Sequence, residues 1–295
     1  MFYIINCSSF AYDTLRSVKR GLIHSVYNKT VNFYCGDVLL SLQAQGTPLS
    51  PLTLETNCSP QELNNLRLAP DMEIGISTHR ICVNRTYFTF AFSSPWNPKL
   101  SEVLPDTPFL QSTNGVEFLC ACLRSINPVD GFSDLVLPEG KLWKASQSAK
   151  AASLILSHCY NCILTEDWDV AAEHAAGLIG LGEGLTPSGD DFLCGMLAAS
   201  HIAETKNSRE LGMALAQKLR PLITKTNDIS SAFINCALNG YFSSAIISLA
   251  CGACIQKIAK DFSEIGHSSG ADTLSGIIFY LGSLSADQFP LSQTI

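Results

Sequence analysis

The sequence predicts an α+β protein in which a mainly β-strand N-terminal region is followed by a mainly α-helical C-terminal domain. Short runs rich in Val, Ile, Tyr, Phe and Thr fill the first third, and apolar residues recur at helical spacing in the remainder. Two similar glycine-rich segments, 81 residues apart, further predict two pseudo-equivalent helix N-termini in the second domain. We place the boundary at residue 105, which gives domains 1–105 and 106–295.

The N-terminal region is expected to open with an amphipathic helical segment over Ser9–Tyr27 and to continue as strands. Each predicted strand is short and is bounded by Gly, Pro or Asn turn signals. The predicted strands are Thr30–Tyr34, Val38–Leu42, Glu73–Ser77, Arg80–Val83 and Tyr87–Phe92. Pro95 and Pro98 end this pattern.

From Val116 onward the apolar spacing predicts helices. The predicted helices are Val116–Ser125, Leu142–His158, Trp168–Ala176, Asp191–Glu204, Glu210–Leu222, Ser230–Leu238, Ser243–Ala259 and Thr273–Leu284. The chain has a formal charge of −7, and its acidic excess lies in this helical part, where much of it is expected on a solvated face.

Composition excludes several classes of protein. Charged residues make up 15% of the chain, against about 25% in typical soluble domains, so the chain is not intrinsically disordered. A pI of 5.3 argues against an ordinary nucleic-acid binder. We see neither a secretory signal nor an apolar run of the ~18 residues that a membrane span needs. We therefore expect a cytoplasmic protein that buries apolar surface in a homo- or hetero-oligomer.

Twelve cysteines include two C-x-x-C pairs, Cys159/Cys162 and Cys251/Cys254. Two such pairs could supply four thiolates to a structural zinc ion. Both pairs lie in stretches with a helical apolar pattern, where thiols at positions i and i+3 are typical of a packed helix face. We interpret the twelve as reduced, buried thiols and keep zinc as the alternative.

The most unusual stretch runs from Gly177 to Gly195 and contains six glycines. Within it, Thr186 is predicted as a helix N-cap and Pro187 as a residue of the first turn. A glycine-rich loop that leads into a helix presents unpaired N–H groups and the positive end of the helix dipole, which suits an anion. The pattern matches neither a P-loop nor a dinucleotide fingerprint, so no nucleotide is assigned.

A second segment, Ser269–Gly276, repeats Ser188–Gly195 in register as S-G-x-D-x-L-x-G, so that Asp272 corresponds to Asp191. We expect the two helix starts to converge on one cleft, with the first serine of each motif on opposite walls of a small electropositive hollow. The alternative is two capped helices with small residues at a tight crossing, because S-x-x-D is itself a capping pattern.

Three aspartates would place negative charge beside this anion pocket: Asp190, Asp191 and Asp272. A bound Mg²⁺ would offset the charge, or the carboxylates could cap backbone N–H groups and face away from the ligand. A third interpretation makes one carboxylate a general base together with His267, which occupies the position equivalent to Thr186. The sequence leaves the three open.

Three blocks resemble the signatures of the oxamate carbamoyltransferase subunit AllH-like family. Gly184–Asp191, which reads G-L-T-P-S-G-D-D and is followed by Gly195, resembles the first signature. Gly266–Gly276 resembles the second, and Gly240–Phe242 resembles a third element between them. The first 150 residues contain no matching motif. Gly189 stands where some relatives have histidine.

The resemblance implies a subunit of a multi-component carbamoyltransferase of allantoin (purine) catabolism, which interconverts oxalurate plus phosphate with oxamate plus carbamoyl phosphate. The implied partners are the other subunits and one of these small anionic substrates, with no nucleic acid and no membrane. No cofactor is assigned, and Mg²⁺ stays open. The alternative is a non-catalytic assembly or regulatory subunit of the same complex; a stand-alone Mg²⁺-dependent hydrolase ranks below both.

The candidate site residues follow from these motifs. The candidate catalytic residues are Asp191, Asp272 and His267. The candidate substrate-binding residues are Gly182, Gly184, Thr186, Ser188, Gly189, Asp190, Ser268, Ser269 and Gly270. Hydroxyl and N–H donors would bind the phosphoryl or carboxylate end of the substrate and stabilise the tetrahedral intermediate at the carbamoyl carbon. No metal ligands are assigned.

Overall fold

The computed structural model describes residues 1–104, 113–126, 131–137, 140, 145–203 and 205–285. The chain divides into two compact units, Met1–Glu102 with Tyr241–Ser244, and Val103–Gly240 with Ala245–Ile295. The predicted order of a strand-rich region followed by helices is confirmed. The predicted boundary at residue 105 lies outside the described residues.

Eight strands of the first unit close into a barrel, which the sequence did not predict. The strands are β1 (Phe2–Cys7), β2 (Arg20–Val26), β3 (Thr30–Cys35), β4 (Val38–Gln43), β5 (Thr53–Thr56), β6 (Glu73–Ser77), β7 (Arg80–Val83) and β8 (Thr86–Phe90). Their order around the barrel is β1-β5-β4-β3-β2-β6-β7-β8, closed by parallel pairing of β1 with β8. Alternation sets the inner face: in β6, Ile74 and Ile76 are buried between exposed neighbours.

The helix predicted over Ser9–Tyr27 is wrong in its second half. Helix α1 spans only Ser9–Ser17, and Arg20–Val26 form β2, which pairs with β3 and β6. Gly21 explains the change, because glycine weakens a helix and allows close approach of another backbone. A Cβ at this position would lie 2.6 Å from the carbonyl oxygen of Tyr34 on β3.

The second unit is helical, and most predicted helices are present with shifted ends. In the residues that the structure describes, the α-helices are α1 (Ser9–Ser17), α2 (Pro60–Asn65), α3 (Leu100–Val103), α4 (Thr113–Ile126), α5 (Gln147–Leu164), α6 (Trp168–Ala176), α7 (Ser188–Ile202), α8 (Lys206–Leu219), α9 (Asp228–Leu238), α10 (Ser244–Ala250), α11 (Ile255–Ser263) and α12 (Ser269–Ser283). The single helix predicted over Ser243–Ala259 is wrong: Gly252, at φ +77°, ends α10 before α11 begins. Residues 142–144 of another predicted helix lie outside the described residues.

Helix α12 is the central helix of this unit, because every residue from Gly270 to Ser283 is buried. It crosses α7 so closely that a glycine on each helix, Gly195 on α7 and Gly276 on α12, has no room for a side chain. A Cβ at Gly195 would lie 2.0 Å from the carbonyl oxygen of Thr273, and one at Gly276 would lie 2.0 Å from that of Phe192. This crossing fixes the relative position of the two motif-bearing helix starts. Within the described ranges, none of the helices combines the length and apolar character of a membrane span.

The two C-x-x-C pairs differ in environment. Cys159 is buried and Cys162 half-buried on α5, as predicted for a packed helix face. Cys251 and Cys254 are exposed in the turn between α10 and α11, so the helical, buried prediction is wrong for this pair. Among the residues that the structure describes, no group of three or more His, Cys, Asp or Glu side chains is arranged to hold a metal ion.

Candidate functional site

A glycine-rich loop leads from the end of α6 to the start of α7. Gly180, Gly182 and Gly184 have φ values of +71°, +130° and +102°, which explains why glycine stands at these positions. A Cβ at Gly182 would lie 2.6 Å from the backbone nitrogen of Ser188, so the loop folds back onto the helix that it precedes.

The carboxylate of Asp190 holds this loop in place. Its Oδ1 accepts a hydrogen bond from the backbone N–H of Gly180 at 2.7 Å, and its Oδ2 accepts one from the Thr226 hydroxyl. Asn227 donates from Nδ2 to the carbonyl oxygen of Leu185 at 3.0 Å. Asp190 therefore has a structural role in the loop. Thr226 and Asn227 also stabilise the loop, and no sequence motif predicted them.

Helix α7 begins at Ser188 with Pro187 as its N-cap, so the prediction of Thr186 as N-cap is wrong. Pro187 has an extended ψ of 138°, which places Thr186 one residue before the helix start. The Thr186 hydroxyl lies 2.8 Å from the hydroxyl of Ser269, the first residue of α12. Neither helix has a side-chain hydrogen bond from its N-cap.

Gly189 and Gly270 lie in the first turns of α7 and α12, each beneath a backbone carbonyl. A Cβ would lie 2.0 Å from the oxygen of Leu178 in the first case and 1.9 Å from that of Phe262 in the second. Their N–H groups also donate to carbonyls of the preceding segment, at 2.8 Å and 3.1 Å. This backbone has no space for a histidine side chain at position 189.

Asp272, on α12, is fully buried. Its Oδ1 accepts a hydrogen bond from the backbone N–H of Phe132 at 2.6 Å, and the hydroxyls of Ser188 and Ser268 also favour its ionised form. Its Oδ2 is buried without a hydrogen-bond partner in the described structure. None of the sequence motifs points to Phe132 as a hydrogen-bond donor to Asp272, because the two residues lie far apart in the chain.

Asp191, on α7, is the counterpart of Asp272 in the sequence repeat. It is half-buried as a residue, and its Oδ2 is buried and lacks a partner among the residues described. The hydroxyls of Ser269 and Thr186 interact with its carboxyl group. Each aspartate thus interacts with the serine that begins the other helix, Ser269 for Asp191 and Ser188 for Asp272.

Burial makes both carboxyl groups weak acids. Desolvation raises the pKa of Asp272 to about 6, against the opposing effect of its hydrogen-bond donors. Desolvation, and then the negative charge of Asp272, raise the pKa of Asp191 well above its ordinary value. Both carboxyl groups therefore keep their protons to a higher pH than an exposed aspartate does. The electropositive hollow expected between Ser188 and Ser269 stays a prediction.

The remaining predicted residues differ in their exposure. Ser268 is half-buried before α12, while His267 is exposed in the preceding turn; Gly182 is half-buried and Gly184 exposed. A groove of about 570 Å³ begins beside the loop at Gly177, but neither aspartate lines it.

Two family models match the chain. The model described as oxamate carbamoyltransferase subunit AllH matches residues 178–281, which include the glycine-rich loop, the two aspartates and most of α12. The model described as the AllH family N-terminal domain matches residues 5–95, which contain most of the barrel. This chain belongs to the AllH family. The resemblance of the three sequence blocks is confirmed, and the barrel, where no motif could be recognised, is matched as well.

Membership of the AllH family gives the chain the role of a subunit of an oxamate carbamoyltransferase, and the other subunits of that enzyme are its partners. No solved structure gives a significant match to the chain.

Proposed function

We propose that this AllH subunit binds a small anionic substrate of carbamoyl transfer at the starts of α7 and α12, and that Asp191 and Asp272 move its protons. One observation carries the proposal: each aspartate has a buried Oδ2 with no partner among the described residues. Buried polar atoms are nearly always hydrogen-bonded, so such an atom requires an explanation. An N–H or O–H group of a substrate would supply the missing partner.

The likeness of the two helix starts supports a single shared site. Each start places a glycine beneath a carbonyl, a serine hydroxyl near the opposite aspartate, and a second glycine at the helix crossing. These features recur at the same 81-residue offset that the sequence repeat has. We interpret α7 and α12 as a pseudo-equivalent pair whose first turns converge, so that hydroxyl donors and carboxyl groups alternate around one point.

The chemistry of carbamoyl transfer fits such an arrangement. When the amide nitrogen of oxamate attacks the carbonyl carbon of carbamoyl phosphate, the nitrogen loses a proton and phosphate leaves. An ionised aspartate of the pair would accept that proton, and a neutral one would donate to the developing oxyanion or the leaving phosphate. The hydroxyls of Thr186, Ser188, Ser268 and Ser269 would hold the phosphoryl or carboxylate end. His267, exposed before α12, would exchange protons with solvent.

The alternative is that the same two carboxylates bind Mg²⁺. Hard cations are bound through one or two carboxylates together with substrate oxygens. A cation between Asp191 and Asp272 would lower both pKa values and would leave no proton on the pair. Activity measured with Mg²⁺ and with a chelator therefore distinguishes the two forms of the proposal.

The decisive experiment uses the complex reconstituted with its partner subunits. Asp191→Asn and Asp272→Asn preserve volume and remove the ionisable group, so we expect kcat for carbamoyl transfer to fall about 10²–10⁴-fold. Size-exclusion chromatography checks that assembly is intact. Asp169→Asn is the matched control, because its carboxylate is exposed and pairs with Lys218. A double variant that transfers carbamoyl groups at the wild-type rate would refute the proposal.

A non-catalytic assembly subunit is the second candidate, and burial favours it. Asp272 is fully buried and Ser188 nearly so, and α12 is packed along its length. In that case the aspartate variants would fail in assembly. Phosphate, carbamoyl phosphate and oxamate would then leave the melting temperature unchanged. A bound ligand at a hundredfold excess over Kd stabilises a protein by about 2.7 kcal/mol, so the thermal shift is readily measured.

A further inference from the structure

Cys251 and Cys254 differ from the other cysteines of the chain in exposure. All twelve cysteines are described, and these two alone are exposed; the rest are buried or half-buried. Burial raises the pKa of Cys7, Cys159 and Cys236 to about 12, which disfavours the reactive thiolate in the interior. Reagents that modify thiols are therefore expected to react first with Cys251 and Cys254.

The turn between α10 and α11 gives the backbone between the two cysteines a defined conformation. The backbone N–H of Gly252 donates to the carbonyl of Leu249 at 3.0 Å, and that of Ala253 donates to Ser248 at 3.1 Å. With Gly252 at φ +77°, these bonds form a Schellman motif, in which Cys251 is the residue before the left-handed glycine. Cys254 then serves as the N-cap of α11, with extended backbone and no side-chain capping bond.

The chain reversal at Gly252 brings Cys251 and Cys254 closer together than an extended chain would. A disulfide needs a Cα separation below about 7 Å, whereas three extended peptide links reach about 10 Å. The chain reversal at Gly252 shortens that span. The Sγ of Cys251 makes one weak contact, 3.6 Å from the carbonyl oxygen of Val103, which leaves the thiol accessible.

We infer that Cys251 and Cys254 form a reversible disulfide by exchange with a low-molecular-weight disulfide. The thiolate of one cysteine attacks the reagent, forms a mixed disulfide and releases one small thiol. The other cysteine then attacks the mixed disulfide, closes the Cys251–Cys254 bond and releases the second small thiol. The protein loses two electrons and two protons, and the reagent is reduced to two thiols.

Three other cysteines could compete for the same chemistry, and all three are distinguishable from the Cys251/Cys254 pair. Cys122, on α4, is fully buried but lies near enough to Cys254 that a thiolate there raises its pKa. Cys159 and Cys162, on α5, have the same C-x-x-C spacing, but Cys159 is buried within the helix bundle. The α5 pair is therefore a matched control for spacing without exposure.

The experiment treats the reduced full-length chain with oxidised glutathione, alkylates all free thiols after denaturation, and maps the peptides by mass spectrometry. We expect the peptide that contains Cys251 and Cys254 to lose the mass of two hydrogens, and to regain it after dithiothreitol. In Cys254→Ser, exchange should stop at the mixed disulfide, so Cys251 should carry one glutathione. Cys159→Ser should react like the wild type.

Three results would overturn the inference. The first is a pair that remains fully alkylated under conditions in which an exposed model thiol exchanges. The second is a Cys122–Cys254 bond in place of the expected one. The third is a Cys159–Cys162 bond that forms as fast as the Cys251–Cys254 bond, which would show that spacing and not exposure determines the reaction. Circular dichroism of each variant confirms that the fold is retained.

Discussion

Thr186 and Ser269 are separated by 83 positions in sequence, and their hydroxyl oxygens lie 2.8 Å apart. This hydrogen bond connects the end of the glycine-rich loop to the first residue of α12. Both hydroxyls also interact with the carboxyl group of Asp191, and their effect opposes the rise in its pKa. The loop, the second helix start and the acid pair thus share one hydrogen-bond network.

Thr186→Val should destabilise the protein by about 1 kcal/mol, because it removes the hydroxyl and keeps the shape of the side chain. The loss of one donor should also raise the pKa of Asp191 further. Urea denaturation measures the first effect. Thr165→Val is the control, since that exposed hydroxyl bonds to carbonyls of its own helix, and it should change stability by less than about 0.5 kcal/mol. Equal losses in the two variants would contradict the network.

Elements with a clear local pattern could be predicted from the sequence. Strands β6 and β7 and helix α6 have the predicted ends, because each has a regular alternation or helical period between turn residues. Closure of the barrel could not be predicted, because it depends on β1 pairing with β5 and β8, which are remote in sequence. The short strand β5 offers only four residues of pattern.

The candidate site shows the same division. The repeat of S-G-x-D-x-L-x-G predicted that Asp191 and Asp272 are counterparts, and the structure brings both to the same pair of helix starts. The backbone donor from Phe132 and the clamp of Asp190 by Thr226 were missed, because both contacts join distant segments without a motif. The raised pKa values of Asp191 and Asp272 were also not predicted, because a pKa depends on burial, which cannot be read from the sequence.

Gly195→Ala and Gly276→Ala should each destabilise the second unit by on the order of 3 kcal/mol. In both cases the new Cβ would meet a backbone carbonyl at 2.0 Å, so the helices would have to separate. Gly75→Ala is a suitable control, because its Cβ would have no neighbour nearer than 3.8 Å and its backbone is not left-handed. Thermal unfolding gives the comparison, and a wild-type melting temperature for Gly195→Ala would contradict the tight crossing.

Asp272→Asn should change the pH dependence of stability. The folded-state pKa of Asp272, about 6, exceeds its unfolded value, so the folded protein binds the proton more tightly. The free energy of unfolding of the wild type should therefore contain a contribution that is complete below about pH 4 and is lost as the pH rises through 6. Asparagine cannot titrate, and it still offers an oxygen to the N–H of Phe132.

The difference in unfolding free energy between Asp272→Asn and the wild type should thus shift in favour of the variant by on the order of 2–3 kcal/mol between pH 4 and pH 7. Urea denaturation at several pH values measures it. Parallel pH curves for the two proteins would show that Asp272 titrates normally. A shift of opposite sign would mean that the folded state stabilises its carboxylate form.

Gly131→Ala should disturb the acid pair without changing either aspartate. Gly131 has φ +92°, and a Cβ there would lie 2.3 Å from Oδ1 of Asp272, the atom that accepts the hydrogen bond from Phe132. Gly252→Ala is the matched control, because φ is +77° and no atom lies within 4 Å of the new Cβ. Both variants incur left-handed strain of about 1–2 kcal/mol, whereas the first must also displace a buried carboxyl group. In the reconstituted complex, carbamoyl transfer should fall in Gly131→Ala and persist in Gly252→Ala; equal activities would show that the position of Asp272 is unimportant for the reaction.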